Sequence, residues 1–170
     1  MIFEGWPARL LIVRHGESAG NVARERALAQ QLPEINLAER DCDVRLSRLG
    51  QRQSQALGEW LRDNEAPADV VFTSPYARAQ ETTRLVLASA GWSDAQVTID
   101  ERVREKEFGI LDRLTRAGIA QKYPEQAAML ASLGKFYHRP PGGESWTDVI
   151  LRLRSVVDTL TREWADKRCS

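Results

Sequence analysis

The chemistry of this sequence centres on His15, which stands in Leu11-Ile12-Val13-Arg14-His15-Gly16-Glu17-Ser18, with Asn21 three positions on. Near neutral pH much of an imidazole is unprotonated, so a ring nitrogen carries a lone pair able to attack phosphorus. Such an attack would leave a transient phosphohistidine on His15. A phosphate monoester resists attack through its anionic oxygens, and planar guanidiniums can hold these with paired, charge-assisted hydrogen bonds. Arg14 and Arg78 are the candidates for that clamp; Arg78 lies in Thr73-Ser74-Pro75-Tyr76-Ala77-Arg78-Ala79. Gly16 would let the backbone approach the phosphate closely, and Ser18 and Asn21 would donate further hydrogen bonds to its oxygens. Plainer roles exist for each group: His15 as a buried histidine bonded to a backbone carbonyl, Arg78 as a solvated charge early in a helix.

These residues need a scaffold that delivers them to one place. Arg9 to Val13 is a short apolar run that breaks at Arg14-His15-Gly16, which predicts a buried strand ending in a loop. Residues 24 to 44 read as polar and irregular. Ser47 can cap a helix with apolar positions Leu49, Ala56, Leu57, Trp60 and Leu61. Asp69 to Thr73 predicts a second strand, after which Ser74 as cap and Pro75 at the first position open a helix that Gly91 ends. Gln96 to Asp100 predicts a third strand, and weaker helical patterns follow near residues 114 to 123 and 125 to 133. Pro140-Pro141-Gly142-Gly143 is a stop. Ser145 with Asp148 then forms an acidic capping box for a long helix with the stripe Val149, Leu153, Val156, Val157, Leu160 and Trp164, running to about Lys167. The alternation predicts an α/β fold with a mostly parallel sheet, helices on both faces, and ligands beyond the carboxyl ends of the strands. Both the His15 loop and Ser74 to Arg78 fall there.

Composition narrows the function classes. The 170 residues are 42% apolar and 28% charged, enough to bury the core of one domain. Twenty-four Lys and Arg balance twenty-four Asp and Glu, leaving no basic excess for nucleic acid or an anionic membrane. No apolar run is long enough to span a bilayer. The two cysteines, Cys42 and Cys169, and the lack of an apolar leader predict a reducing, cytoplasmic setting without a disulfide. Only His15 and His138 are histidines, so neither a metal site nor a cofactor is expected.

Four segments in order carry a resemblance: the Arg14-His15-Gly16 segment, Thr73 to Ala79 with Thr82, Glu105-Lys106-Glu107-Phe108-Gly109, and Pro141-Gly142-Gly143-Glu144-Ser145. Together they resemble the histidine phosphatase superfamily, whose members share the phosphoglycerate mutase-like fold, through nearly the whole chain. The resemblance implies that Glu105 is the general acid that protonates the leaving oxygen and then activates water. Lys106 in the third segment and His138, by its loop position, are candidates to border the substrate; the expected partner is a phosphorylated small molecule, and a homo-oligomer is compatible with the resemblance. Glu105 has a plainer reading too, as a solvated acid in the charged run Glu101 to Glu107. Mutases of the cofactor-dependent type typically read Glu-Arg-His-Tyr-Gly in the third segment, and the departure here favours hydrolysis over mutase transfer.

The same resemblance calls for a second histidine on a strand following the long helix, and the sequence has none there. The expectation is therefore a single histidine phosphatase-like domain over residues 1–170 with its C-terminal part missing, that strand only beginning near Cys169. His138, in an aromatic and proline-rich loop, is the sole substitute. A catalytically silent phosphate-binding or regulatory module is the competing reading, because binding needs the arginines whereas turnover needs the full pocket.

Overall fold

The computed structural model describes residues 5–165 and 168–169. Its strands are β1 (Arg9–Leu10), β2 (Val70–Thr73), β3 (Gln96–Ile99) and β4 (Arg168–Cys169). All pair in parallel, in the order β1-β4-β2-β3. The helices are α1 (Ala19–Ala29), α2 (Arg48–Asn64), α3 (Ala77–Ala90), α4 (Arg116–Lys122), α5 (Pro124–Tyr137) and α6 (Trp146–Glu163).

Alternation along β2 sets the layers, because successive side chains point to opposite faces. Val71 packs with Leu61 of α2, Val86 and Ala90 of α3, and Trp92. Val70 and Phe72 pack instead with Val156 and Leu160 of α6, Cys169 and Trp164. Helices thus cover both faces of a parallel sheet, as the alternating pattern predicts.

Several elements differ from the sequence reading. The run Arg9 to Val13 is not a buried strand: pairing stops with the Leu11 amide on the Cys169 carbonyl, and Ile12 is 90% exposed. Among the described residues β1 has only the two-residue β4 beside it; Leu11 still packs against the core, while Ile12 and Val13 are exposed. Residues 24 to 44 are not wholly irregular, since α1 reaches Ala29. Ser18 caps it in a box with Asn21, a version that lacks the usual glutamate and so gave no signal.

The buried stripe of α2 is Gly50, Ser54, Gly58 and Leu61, while Leu49 and Trp60 face outward. A Cβ at Gly58 would meet the α3 backbone and Ser89, so the two helices pack closer than a leucine seam allows. Helix α3 starts at Ala77 rather than Pro75, because the Ser74 hydroxyl accepts the Tyr76 amide in a turn and Tyr76 stays extended. Gly91 does end it, in the left-handed conformation. Helix α6 ends at Glu163, and its predicted limit at Lys167 lies outside the described residues. The strand expected near Cys169 does form, between β1 and β2.

Candidate active site

Three strand ends bring four of the predicted residues, Arg14, His15, Arg78 and Glu105, together with Arg104. The loop after β1 carries Arg14 and His15, the turn after β2 leads to Arg78, and the segment after β3 carries Arg104 and Glu105. All five line one cavity of about 580 Å³. Ligands in parallel sheets bind in this region beyond the strands' carboxyl ends.

His15 is half-buried, and its Nδ1 lies 2.7 Å from the carbonyl oxygen of Gly16. A carbonyl can only accept, so Nδ1 carries the proton and the Nε2 lone pair is left for attack. Burial first, and then the charges of Arg78 and Arg14, hold the imidazole pKa below its ordinary value against the opposing pull of the Gly16 carbonyl and Glu105. The ring is thus biased towards its neutral, nucleophilic form. The carbonyl contact foreseen as the plainer role of His15 is present, and it orients the ring at the cavity wall.

The loop is fixed by its amide. Gly16 N–H donates to Thr82 Oγ1 at 3.2 Å, and that hydroxyl donates to the Arg78 carbonyl at 2.8 Å. A Cβ at Gly16 would run into the Gly50 carbonyl, so the missing side chain admits the first turn of α2. Glu17 reinforces this docking: Ser47 Oγ donates to its carboxylate and its amide donates to Gln53.

Arg78 is buried, and its guanidinium lies 4.8 Å from the centre of the Tyr76 ring. Its Nη1 and Nη2 make a fork on the Asp41 carboxylate at 3.1 Å each, and Nη1 also donates to the Asp41 carbonyl at 2.6 Å. Arg78 is therefore no solvated charge. Burial pushes the Tyr76 hydroxyl up to about 12, so the ring faces the guanidinium as neutral phenol. Arg14 and Glu105 are exposed at the rim, where the Glu105 carboxylate accepts the Lys106 amide at 2.8 Å.

The remaining predicted residues lie elsewhere. Ser18 and Asn21 bind each other in the α1 capping box and are not in the cavity wall. Lys106 is buried, with Nζ 4.9 Å from the centre of the Phe108 ring, and burial lowers its pKa. His138 is buried as well, its Nε2 3.2 Å from Gln126 Oε1; burial and then the charge of Lys106 lower its pKa. Neither residue lines the cavity.

Sequence reading missed Asp41, Arg104 and Arg152. Asp41 gave no signal, lying in an irregular polar stretch. Arg152 sits on α6 one position before the stripe residue Leu153, where an arginine ordinarily reads as a solvated flank. Among the described residues there is no cluster of three or more metal-ligating side chains, and no helix is long and apolar enough to cross a membrane.

Fold and cavity define an α/β protein whose parallel strands deliver an imidazole, guanidiniums and a carboxylate to one anion-receptive site. The model of the histidine phosphatase superfamily (branch 1) matches residues 10–169, and the chain belongs to that family. It is 35% identical over 157 residues to the 2,3-bisphosphoglycerate-dependent phosphoglycerate mutase 2 of Gloeobacter violaceus, covering 92% of this chain and 65% of that protein. A mycobacterial glucosyl-3-phosphoglycerate phosphatase structure superposes with a TM-score of 0.66 at 32% identity, covering 89% of this chain and 63% of that one. The phosphoglycerate mutase of Bacillus anthracis shares the fold with a TM-score of 0.73 at 19% identity, covering 98% of this chain and 74% of that one. The chain thus spans about 65% of the length of the mutase from Gloeobacter violaceus.

Proposed function

We propose that the protein hydrolyses phosphomonoesters through a phosphohistidine on His15. The observation that carries this reading is the His15 tautomer, with Nδ1–H on the Gly16 carbonyl and Nε2 unencumbered in a cavity that also holds Arg14, Arg78 and Glu105.

In the first step Nε2 attacks phosphorus, the P–N bond forms and the P–O bond to the leaving alcohol breaks. Arg78 and Arg14 hold the non-bridging oxygens, and Glu105 passes its proton to the departing oxygen. In the second, Glu105 takes a proton from water, the water oxygen bonds to phosphorus and the P–N bond breaks. Inorganic phosphate leaves, and both Nε2 and Glu105 return to their starting states. Phosphorylated small molecules are the substrate class, and a cytoplasmic setting fits the cysteine usage.

A second reading, mutase transfer, is favoured by the relative from Gloeobacter violaceus. Against it stands Glu105-Lys106-Glu107-Phe108-Gly109, together with the similarity to a solved phosphatase at 32% identity. The test is hydrolysis of p-nitrophenyl phosphate by the protein and by His15→Ala, without metal, from about pH 5 to 8. Turnover lost in the variant supports the proposal. Turnover in neither leaves the binding-only module. Efficient formation of 2-phosphoglycerate from 3-phosphoglycerate with the bisphosphate primer supports the mutase.

A further inference from the structure

We infer that Glu144 and Arg152 are positioning residues that hold the Glu105 segment against α6; the inference rests on the reading of Glu105 as proton donor. Glu105 has little grip of its own, its exposed carboxylate accepting the adjacent Lys106 amide. Its backbone is held from outside. Arg152 Nη1 donates to the Arg102 carbonyl at 2.6 Å, and Nη2 donates to the Glu105 carbonyl at 3.2 Å. The same guanidinium forks onto Glu144, with Nε 3.0 Å from Oε1 and Nη2 3.2 Å from Oε2.

Glu144 completes the clamp from the other side. Its carboxylate accepts Arg104 Nη2 at 2.8 Å and the Glu107 amide at 3.0 Å, while its own amide donates to the Glu107 carbonyl at 2.9 Å. Residues 102, 104, 105 and 107 are thus all tied to two side chains, each 12% exposed. Burial pushes the Glu144 carboxyl up, but the Arg152 bonds and the Glu107 amide outweigh it and keep the group below its ordinary value, ionised and able to bridge. Lysine at 152 would keep the charge and lose the planar fork, which alone can reach two carbonyls and a carboxylate together.

The role predicts a leaving-group signature. A p-nitrophenolate departs with little help, whereas an alkoxide needs the proton that Glu105 supplies. Arg152→Lys and Glu144→Gln should lower kcat/KM on glycerol 2-phosphate about ten- to a hundredfold, as a displaced catalytic group does. On p-nitrophenyl phosphate kcat/KM, which ends at the phosphohistidine and excludes its hydrolysis, should stay within about threefold, since that ester makes little demand on the acid. Glu105→Gln should show the same asymmetry in kcat/KM, while its kcat falls on both esters because the shared hydrolysis of the phosphohistidine loses its base. Equal losses of kcat/KM on both esters in the Glu144 and Arg152 variants, with Glu105→Gln still discriminating, overturn the positioning role alone. If Glu105→Gln lowers kcat/KM alike on both esters, or the unmodified chain turns over neither, the proton-donor reading falls and takes the inference with it.

Discussion

Thr82→Val isolates the contact that fixes the nucleophile loop. The two side chains are nearly isosteric, so the buried site keeps its volume while the hydroxyl that accepts Gly16 N–H at 3.2 Å is lost. The bond that hydroxyl donates to the Arg78 carbonyl is a lesser loss, because it lies within one turn of α3. An unsatisfied buried amide costs about 1–3 kcal/mol, and Gly16 is only half-buried, which places the loss near the lower end. In a chain of 170 residues that corresponds to a Tm lowered by about 2–4 °C. Turnover should fall further than stability suggests, by roughly tenfold, because the Gly16 carbonyl that orients His15 shifts with its amide. Thr82→Ser should restore both. The assay is thermal melting followed by circular dichroism, beside kcat on p-nitrophenyl phosphate. A Thr82→Val protein with unchanged Tm and kcat would refute the claim that this bond fixes the loop.

Other outcomes follow from the same geometry. Because His15 titrates below its ordinary 6.5 and acts as the neutral base, kcat/KM should rise with pH along a limb lying below that value; a limb centred above 6.5 would contradict it. Asp41→Asn removes the charge opposite Arg78, and inorganic phosphate should inhibit about two- to fivefold more tightly, the range of one partly exposed ion pair; weaker inhibition would make Asp41 an orienting group. Gly16→Ala should destabilise by about 1–3 kcal/mol or more, read from urea unfolding, since its methyl meets the Gly50 carbonyl. Ser145→Ala should cost about 1 kcal/mol in the same experiment through loss of the α6 cap.

Much of the scaffold was legible because it rests on local chemistry. The cap at Ser145 with Asp148, the glycine stop at Gly91 and the strands at 70–73 and 96–99 each depend on neighbours in the chain. What was not legible depends on partners distant in sequence. The α2 stripe was misassigned because Gly50, Ser54 and Gly58 bury a face through smallness, which only the proximity of α3 makes favourable. The fork from Asp41 to Arg78 joins residues 37 apart, and the bond from Arg152 to the Arg102 carbonyl joins residues 50 apart. The convergence of His15 and Arg78 could be anticipated, because both follow strands of one parallel sheet; Glu105 came only from the family resemblance.

The exposed run after β1 bears on how the site is held. Among the described residues the ladder beside β1 reaches Leu11, four residues before His15. Beyond it helices hold the loop: Gly16 docks on the α2 first turn and on Thr82 of α3, and Glu17 holds the α2 cap. Glu105 is placed in the same way, through Arg152 of α6 and Glu144 just before that helix, although it follows a strand. The sheet therefore sets where the strand ends emerge, and helix side chains set the final positions of the reacting groups. Substitutions at these helix contacts should disturb turnover more than stability, whereas loss of Val70 or Val71 from the core should reverse that order.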